Sequence, residues 1–214
     1  MNAAKTERAR PSWFFYDFVK ITAGIPGLLW YRPRLVYENE AARGRIRGGA
    51  LVIANHIGFF DPVYLLITIW YRRMRFVCLQ QFFDSSWSWF FRHVHCIPID
   101  KNDVGVDSVR EIIRHLRAGG VVSMFPEGHV NDGSGELDAF KSGAVLMALR
   151  GGVPVVPVYV RPKNHWYERL TLAIGAPVDV KELIGGRGGV AGMDAAAGLL
   201  FRKEEELKEL IRRK

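Results

Sequence analysis

Short apolar runs with the pattern of strands alternate along most of the chain with stretches typical of helices. The strand-like runs span 35–37, 49–54, 74–78, 121–125, 153–160 and 169–174. Such an alternation places successive strands side by side in one sheet, with the connecting helices packed on its faces. The sequence therefore predicts an α/β fold with a largely parallel central sheet flanked by helices.

One predicted strand ends in two polar residues, Asn55 and His56, and a carboxylate follows at Asp61. Residues five apart lie about 140° from each other on a helix, and up to ~17 Å apart on a strand. The imidazole and the carboxylate can therefore meet only if the chain curls between them, which Gly58 permits. Asp61 followed by Pro62 is then typical of a helix start, with aspartate as N-cap and proline as the first helical residue.

This arrangement has two interpretations, which do not exclude each other. In the first, Asp61 only caps the following helix and His56 is a polar residue at a strand end. In the second, Asp61 accepts a hydrogen bond from one ring nitrogen of His56 and fixes its tautomer. The other ring nitrogen could then take a proton from a nucleophile.

Four blocks in a fixed order resemble the PlsC-type glycerolipid acyltransferases, the lysophosphatidate acyltransferase family. The blocks are Asn55-His56-x-x-x-x-Asp61-Pro62, the apolar stretch ending at Asp100-Lys101, Phe125-Pro126-Glu127-Gly128 with the later Phe140-Lys141-Ser142-Gly143, and the apolar run Val153 to Val160. The resemblance covers roughly residues 35–180.

This resemblance implies an O-acyltransferase that moves a fatty acyl group from acyl-CoA or acyl carrier protein to a hydroxyl of a lysophospholipid. The favoured acceptor is 1-acylglycerol-3-phosphate, which would give phosphatidic acid. It implies His56 as the general base and Asp61 as the residue that orients it. The acceptor head-group site would be formed by Lys101, Glu127, Gly128 and Lys141. We expect no cofactor and no metal, because His56 and Asp61 have no third ligand at a recognisable spacing.

The third block departs from the family pattern. Thr-Arg usually follows Glu-Gly there, whereas His129-Val130 occupy these positions, so the arginine that would hold a phosphate is missing. A different lysolipid or an amino-lipid is therefore an alternative acceptor. Three other hypotheses remain open: a non-catalytic membrane-binding member of the same fold, a metal-dependent hydrolase that uses His56, Asp61 and Asp100, and a basic nucleic-acid-binding domain.

We predict that residues 1–34 form a membrane-interface arm and that residues 35–214 form the acyltransferase domain. Two short aromatic-rich segments, 11–20 and 28–31, flank the sequence Gly-Ile-Pro-Gly at 24–27, which predicts an amphipathic two-helix element. Trp and Tyr bracketed by Lys and Arg are typical of proteins at the bilayer interface. Bacterial members of the resembled family often carry such an element. The alternative is that the arm packs on the domain itself.

A second aromatic-rich segment, 82–91, has six aromatic residues in ten. One interpretation is ordinary core. The other is an apolar wall for an acyl chain, or a second membrane contact.

The charge distribution favours a membrane surface over nucleic acid. The net charge is +8, and the first 50 residues carry nine Lys and Arg against four Asp and Glu. The sequence has no motif that reads nucleic acid. Its longest run without charged residues has thirteen residues, 48–60, and a span needs ~20. We expect a monotopic or peripheral protein at the cytoplasmic face of the cell membrane, with anionic lipid, a lysophospholipid and the acyl donor as its partners.

Overall fold

A computed structural model of the chain describes residues 12–100, 105–131, 136–163, 165, 167–186 and 189–213. Its strands are β1 (Arg34–Tyr37), β2 (Ala50–Ala54), β3 (Met74–Leu79), β4 (Ile97–Ile99), β5 (Val121–Met124), β6 (Val155–Arg161) and β7 (Thr171–Ile174). Within the described residues they form one seven-stranded sheet in the order β1-β7-β6-β2-β5-β3-β4. Strands β2 to β6 are parallel, whereas β7 runs antiparallel to β6 and pairs in parallel with β1. The predicted α/β fold with a mostly parallel sheet is confirmed.

Helices cover both faces of this sheet. They are α1 (Trp13–Tyr31), α2 (Glu40–Arg43), α3 (Asp61–Thr68), α4 (Ser88–His93), α5 (Val106–Arg117), α6 (Gly143–Gly151), α7 (Val180–Ile184) and α8 (Gly189–Arg212). One face packs against α3, with Leu65 and Ile67 in its core. The other packs against α5, α6 and α8. Every residue of the central strand β2 is buried, as expected for a strand covered on both faces.

The predicted two-helix arm is wrong: α1 is one continuous helix of 19 residues that includes Pro26. Gly24 does not break it, because the missing side chain lets the helix lie directly on Trp70, whose ring a Cβ at that position would overlap. The buried Tyr16 and Lys20 face the domain as well, and their side chains hydrogen bond to the backbone at Met74 and Arg72. These contacts compensate for the local cost of glycine and proline within a helix.

The opposite face of α1 is apolar and exposed. Its exposed large side chains are Phe14, Phe18, Ile21, Ile25, Leu28, Leu29 and Trp30. Among the described residues, no helix has the length and apolar character needed to cross a membrane. The boundary at residue 34 and the interfacial role of the arm stay predictions.

The contact between Gly24 and Trp70 leads to a test of the α1 packing. Gly24→Ala should lower the stability, since the new Cβ forces the Trp70 ring to move, and overpacking of this kind costs about 1–3 kcal/mol. Gly27→Ala is the matched control, because a Cβ there would lie at an ordinary 3.7 Å from Ile67 and should add up to about 1 kcal/mol through helix propensity. Thermal unfolding of both variants measures the difference. Equal stability of the two would contradict this packing.

Candidate active site

The end of β2 is fixed to β6 by the side chain of Asn55. Its Nδ2 donates to the Val160 carbonyl at 3.0 Å, and its Oδ1 accepts from the Val160 amide at 2.7 Å. Asn55 is fully buried, so both bonds are shielded from water. The chain therefore leaves the sheet at a defined point, with His56 as the first residue beyond this clamp.

His56 and Asp61 meet in the turn formed by residues 55–61. Asp61 Oδ2 lies 2.8 Å from His56 Nδ1, and it also accepts from the amides of Ile57 at 2.7 Å and Gly58 at 2.9 Å. The Asp61 side chain is 0% exposed, whereas that of His56 is 19% exposed. The turn thus buries the carboxylate and leaves the imidazole accessible.

Asp61 does not cap the helix as predicted. The N-cap position of α3 belongs to Phe60, and Asp61 is already the first helical residue, followed by Pro62. Its bonds go backward to the amides of the turn and to the imidazole, not forward into α3. Of the two interpretations of the motif, the structure has the hydrogen bond between imidazole and carboxylate and lacks the cap.

The His56 ring is also held from the side of β5. It stacks on Phe125 with a centroid distance of 4.1 Å and an interplanar angle of 12°. The His56 carbonyl oxygen accepts a hydrogen bond from the backbone amide of Asn131 at 2.7 Å. Because Nδ1–H of His56 donates to Asp61, the lone pair of Nε2 can accept a proton. This is the arrangement of a general base.

Three of the four residues predicted for the acceptor site lie next to this turn. Glu127 and Gly128 lie three and four residues beyond the end of β5, and the Lys141 backbone amide donates to the Pro126 carbonyl at 3.0 Å. Gly128 has a φ of +76°, and a Cβ there would lie 2.8 Å from Lys141 Nζ. The glycine therefore makes room for the ammonium group. The apolar stretch that precedes Asp100-Lys101 forms the short strand β4, and Lys101 lies outside the described residues.

Glu127 is a buried carboxyl just beyond the end of β5. It is 1% exposed, and within the described part of the chain neither carboxylate oxygen has a hydrogen-bond partner. Burial raises the pKa of Glu127 from 4.5 to about 7, against the opposing effect of the nearby Asn131 side chain and His56 amide, which lower it. These two groups are close enough to act electrostatically but do not form hydrogen bonds of good geometry with the carboxylate.

His129 and Asp138 complete the site and were not predicted as functional residues. His129 Nε2 lies 2.7 Å from Asp138 Oδ2, and His129 Nδ1 lies 3.1 Å from the Glu127 carbonyl oxygen. Ligand atoms of Glu127, His129 and Asp138 lie within 4.8 Å of one another, so among the described residues this group could hold a metal ion. A histidine and an aspartate nine residues apart match none of the usual spacings of metal ligands, so this pair could not be recognised from the sequence.

Comparison with known proteins shows the family. The Acyltransferase family profile matches residues 34–161, more than half of the chain. The chain belongs to this family. The resemblance to PlsC-type acyltransferases is thereby confirmed, and the matched region contains the whole turn 55–61 and the end of β5.

Two bacterial relatives of this Acyltransferase member bear the name 1-acyl-sn-glycerol-3-phosphate acyltransferase. The Bacillus subtilis protein is 26% identical over 136 residues, which cover 61% of this chain and 67% of the relative. The Borreliella burgdorferi protein is 27% identical over 158 residues, which cover 71% of this chain and 61% of the relative. The chain thus matches roughly two thirds of the length of these relatives.

A solved structure has the same fold. The crystal structure of the 1-acyl-sn-glycerophosphate (LPA) acyltransferase PlsC from Thermotoga maritima superposes with a TM-score of 0.62 at 24% identity. The match covers 90% of this chain and 79% of that one. It supports the α/β architecture described above for this Acyltransferase member.

A second buried carboxyl lies near the site in this Acyltransferase chain. Glu204 on α8 is 0% exposed, and neither of its oxygens has a hydrogen-bond partner among the described residues. Burial raises the pKa of Glu204 well above its ordinary value, the negative charge of Glu127 raises it further, and the Asn55 amide lowers it. The carboxyl is therefore neutral at pH values where an exposed glutamate is ionised.

The buried Glu204 makes the stability pH-dependent. The folded chain retains a proton that the unfolded chain loses above the ordinary pKa of 4.5, so the stability falls as the pH rises above that value. The glutamine side chain of Glu204→Gln cannot ionise, so the stability of this variant does not fall with pH for this reason. The difference in Tm, variant minus wild type, should therefore grow as the pH rises above 4.5. Asp194→Asn on the exposed face of the same helix is the control, and a pH-independent difference for Glu204→Gln would refute the expectation.

Proposed function

We propose that this protein is a lysophosphatidate acyltransferase. It transfers a fatty acyl group from acyl-CoA or acyl carrier protein to the hydroxyl of 1-acylglycerol-3-phosphate and forms phosphatidic acid. The observation that carries the proposal is the 2.8 Å contact between His56 Nδ1 and Asp61 Oδ2, within a family whose two similar bacterial members bear this enzyme's name.

The reaction follows from the orientation of the imidazole. Asp61 holds His56 Nδ1–H, so Nε2 takes the proton of the acceptor hydroxyl while that oxygen attacks the thioester carbonyl. The new C–O ester bond forms as the C–S bond breaks, and the thiolate leaves with the proton from His56 Nε2. Asp61 stabilises the imidazolium between these two proton transfers. No acyl-enzyme is required, because the acceptor is itself the nucleophile.

The acceptor head group would lie over Gly128, beside Lys141. The ammonium group of Lys141 approaches the glycine closely, and a phosphate there would accept hydrogen bonds from it. Lys101 stays a candidate for a second contact. Because His129-Val130 replace the usual Thr-Arg, a lysolipid or amino-lipid with another head group is the alternative acceptor.

An acyl-transfer assay tests the proposal. Loss of a general base should lower the rate by about 10²–10⁴, so we expect this decrease for His56→Ala. Asp61→Asn should also lower the rate, because the amide cannot hold the imidazole in the same way. The measurement uses acyl-CoA and acyl carrier protein as donors, and lysolipids with and without a phosphate head group as acceptors.

The control variant is His165→Ala, which replaces an exposed histidine far from the described turn in sequence. It should retain wild-type activity. Acylation of phosphate-free acceptors alone would favour the alternative head group. Release of free fatty acid without transfer would indicate a hydrolase, and activity that His56→Ala leaves unchanged would refute the proposed mechanism.

We further propose that the exposed face of α1 lies on the membrane. Leu29 is 72% exposed and Phe14 is 79% exposed. A surface of large apolar side chains is unfavourable in water unless another apolar phase covers it. Trp87 and Trp89 of the aromatic segment 82–91 are exposed as well, and Trp89 packs edge-on against Phe15 of α1 at 4.7 Å. Apolar residues of two elements therefore form one continuous surface.

Vesicle sedimentation tests this surface. Leu29→Glu and Phe14→Glu each remove an apolar contact of about 1.5–3 kcal/mol and add a charge that anionic lipid repels, so binding should weaken at least ~10-fold. Val106→Glu, at an exposed position of α5 on the other face of the sheet, is the matched control and should bind like the wild type. Equal binding of all three variants would exclude α1 as the contact.

A further inference from the structure

Three arginines surround a cavity at the edge of the sheet where His56 lies. The cavity has a volume of about 300 Å³, which is the lower end of the range for small-molecule sites. Its lining residues are Arg34, Val36, Arg161, Thr171, Ile211 and Arg212. Among the described residues, no aspartate or glutamate belongs to this lining. The cavity is therefore concave and positively charged.

The strand register places two of these arginines in one row. Arg161, the last residue of β6, pairs with Thr171, the first residue of β7. Thr171 in turn pairs with Arg34, the first residue of β1. Side chains of directly paired residues point to the same face of a sheet. Arg34 and Arg161 therefore lie on one face, at the edge formed by the carboxyl end of β6.

Helix α8 closes the cavity over this row. Val36, two residues beyond Arg34 and thus on the same face of β1, belongs to one buried cluster with Ile211 of α8. Arg212 is the last residue of that helix. The three guanidinium groups thus come from two strands and one helix, and the apolar side chains of Val36 and Ile211 form the base between them.

Carboxylates near the arginines do not occupy the cavity. Arg161 lies 3.9 Å from Glu168, and its side chain is 45% exposed. Arg212 lies 2.6 Å from Glu209 and 3.8 Å from Glu136, and its side chain is 59% exposed. Ion pairs with this exposure contribute little to stability, and each guanidinium has five donors. An anion in the cavity can therefore bind these donors without loss of a structural interaction.

We propose that Arg34, Arg161 and Arg212 bind the phosphate groups of a coenzyme A thioester, the donor of the acyl group. The planar fork of a guanidinium matches the oxygens of a phosphate. Coenzyme A has a pyrophosphate and a ribose phosphate, which suits three arginines, whereas the pantetheine arm of acyl carrier protein has one phosphodiester. This inference rests on the proposed acyl transfer and names its donor.

The position of the cavity suits a thioester that reacts at His56. Arg161 directly follows Val160, whose backbone binds the Asn55 side chain. Adjacent strands are about 4.8 Å apart. In the order β1-β7-β6-β2, the row from Arg161 to Arg34 therefore lies between about 5 and about 14 Å from β2. The long, flexible pantetheine arm between the phosphates and the thioester can span this distance.

The cavity and the proposed membrane surface lie on opposite faces of the sheet. Helix α1 packs on α3, where Tyr31 contacts Tyr64, and α3 covers one face. The cavity lies on the other face, under α8. A water-soluble donor can therefore enter from the α8 side while a lipid acceptor approaches from the α1 side. This separation favours coenzyme A over a lipid head group as the ligand of the arginines.

Binding of coenzyme A, measured by calorimetry, tests the site without reference to catalysis. Arg34→Gln and Arg161→Gln should each weaken binding about 10-fold, because each removes a hydrogen bond between charged groups. Arg161→Lys should recover part of the affinity, since lysine keeps the charge but lacks the fork. Pantetheine, which has no phosphate, should bind the wild type and these variants equally weakly.

The matched control is Arg114→Gln. Arg114 is an exposed arginine in the last turn of α5, and α5 ends shortly before β5 begins, at the opposite edge of the sheet. This variant should bind coenzyme A like the wild type. Sedimentation with anionic vesicles separates a lipid ligand from the donor, because Arg34→Gln and Arg161→Gln should bind vesicles normally. Unchanged affinity for coenzyme A in both variants, or a loss of vesicle binding instead, would overturn the proposal.

Steady-state kinetics distinguish the role of the site from the proposed function. In the double variant Arg34→Gln/Arg161→Gln, the KM for acyl-CoA should rise about 10–100-fold, whereas kcat and the KM for lysophosphatidate should stay close to wild type. A rise in the KM for lysophosphatidate alone, or an equal loss of transfer from acyl carrier protein, would overturn the assignment to coenzyme A. Arginine-dependent binding of coenzyme A by a wild type without acyl transfer would refute the proposed function but leave the binding site.

Discussion

The structure of the site depends on one buried carboxylate. Asp61 Oδ2 accepts hydrogen bonds from two backbone amides and from His56 within a fully buried environment. Removing an ionised carboxylate from water costs several kcal/mol unless donors replace the lost water. Three converging donors do so here, and they can converge only when the chain curls between β2 and α3. The same bonds that make burial of the charge tolerable therefore also set the orientation of the imidazole.

Two further contacts make this turn rigid. Asn55 clamps its beginning to β6, and the Asn131 amide ties the His56 carbonyl to the loop after β5. The end of β2, the end of β5 and the end of β6 thus hold one short segment from three sides. In a largely parallel sheet, ligands bind beyond the carboxyl ends of the strands. If His56 is the base, as proposed, an imidazole held from three sides at this edge needs little reorganisation before it reacts.

The sequence was sufficient for the parts that depend on local pattern. Apolar runs such as Leu51 to Ala54 predicted the strands, and the spacing of His56, Gly58 and Asp61 predicted that the imidazole and the carboxylate would meet. The predictions were wrong where a tertiary contact determines the local structure. Gly24 and Pro26 indicate a break, but the contact with Trp70 keeps α1 continuous. The sequence Asp61-Pro62 is typical of a helix N-cap, but the Asp61 side chain instead accepts hydrogen bonds from the preceding backbone amides of Ile57 and Gly58.

The group around Glu127 could not be predicted for a different reason. Two of its members follow the end of β5 and the third, Asp138, comes nine residues after His129, and no spacing rule connects His129 with Asp138. Glu204 is more remote still, because its burial results from the position of α8 against the sheet. In the sequence it is one acid in a charged helix and is indistinguishable from its exposed neighbours. Only the packed structure separates it from them.

The direction of α1 relates the proposed membrane surface to the site. Gly24 lies on Trp70, Gly27 near Ile67, and Tyr31 packs edge-on against Tyr64 at 4.9 Å. Helix α1 therefore runs antiparallel to α3, and its last turn lies beside the first turn of α3, which begins at Asp61. The exposed Leu29 and Trp30 and the exposed Phe59 and Phe60 consequently lie at the same end of the sheet as His56. The proposed acceptor, with its acyl chain in a bilayer, could reach the proposed base from this end without leaving the apolar surface completely.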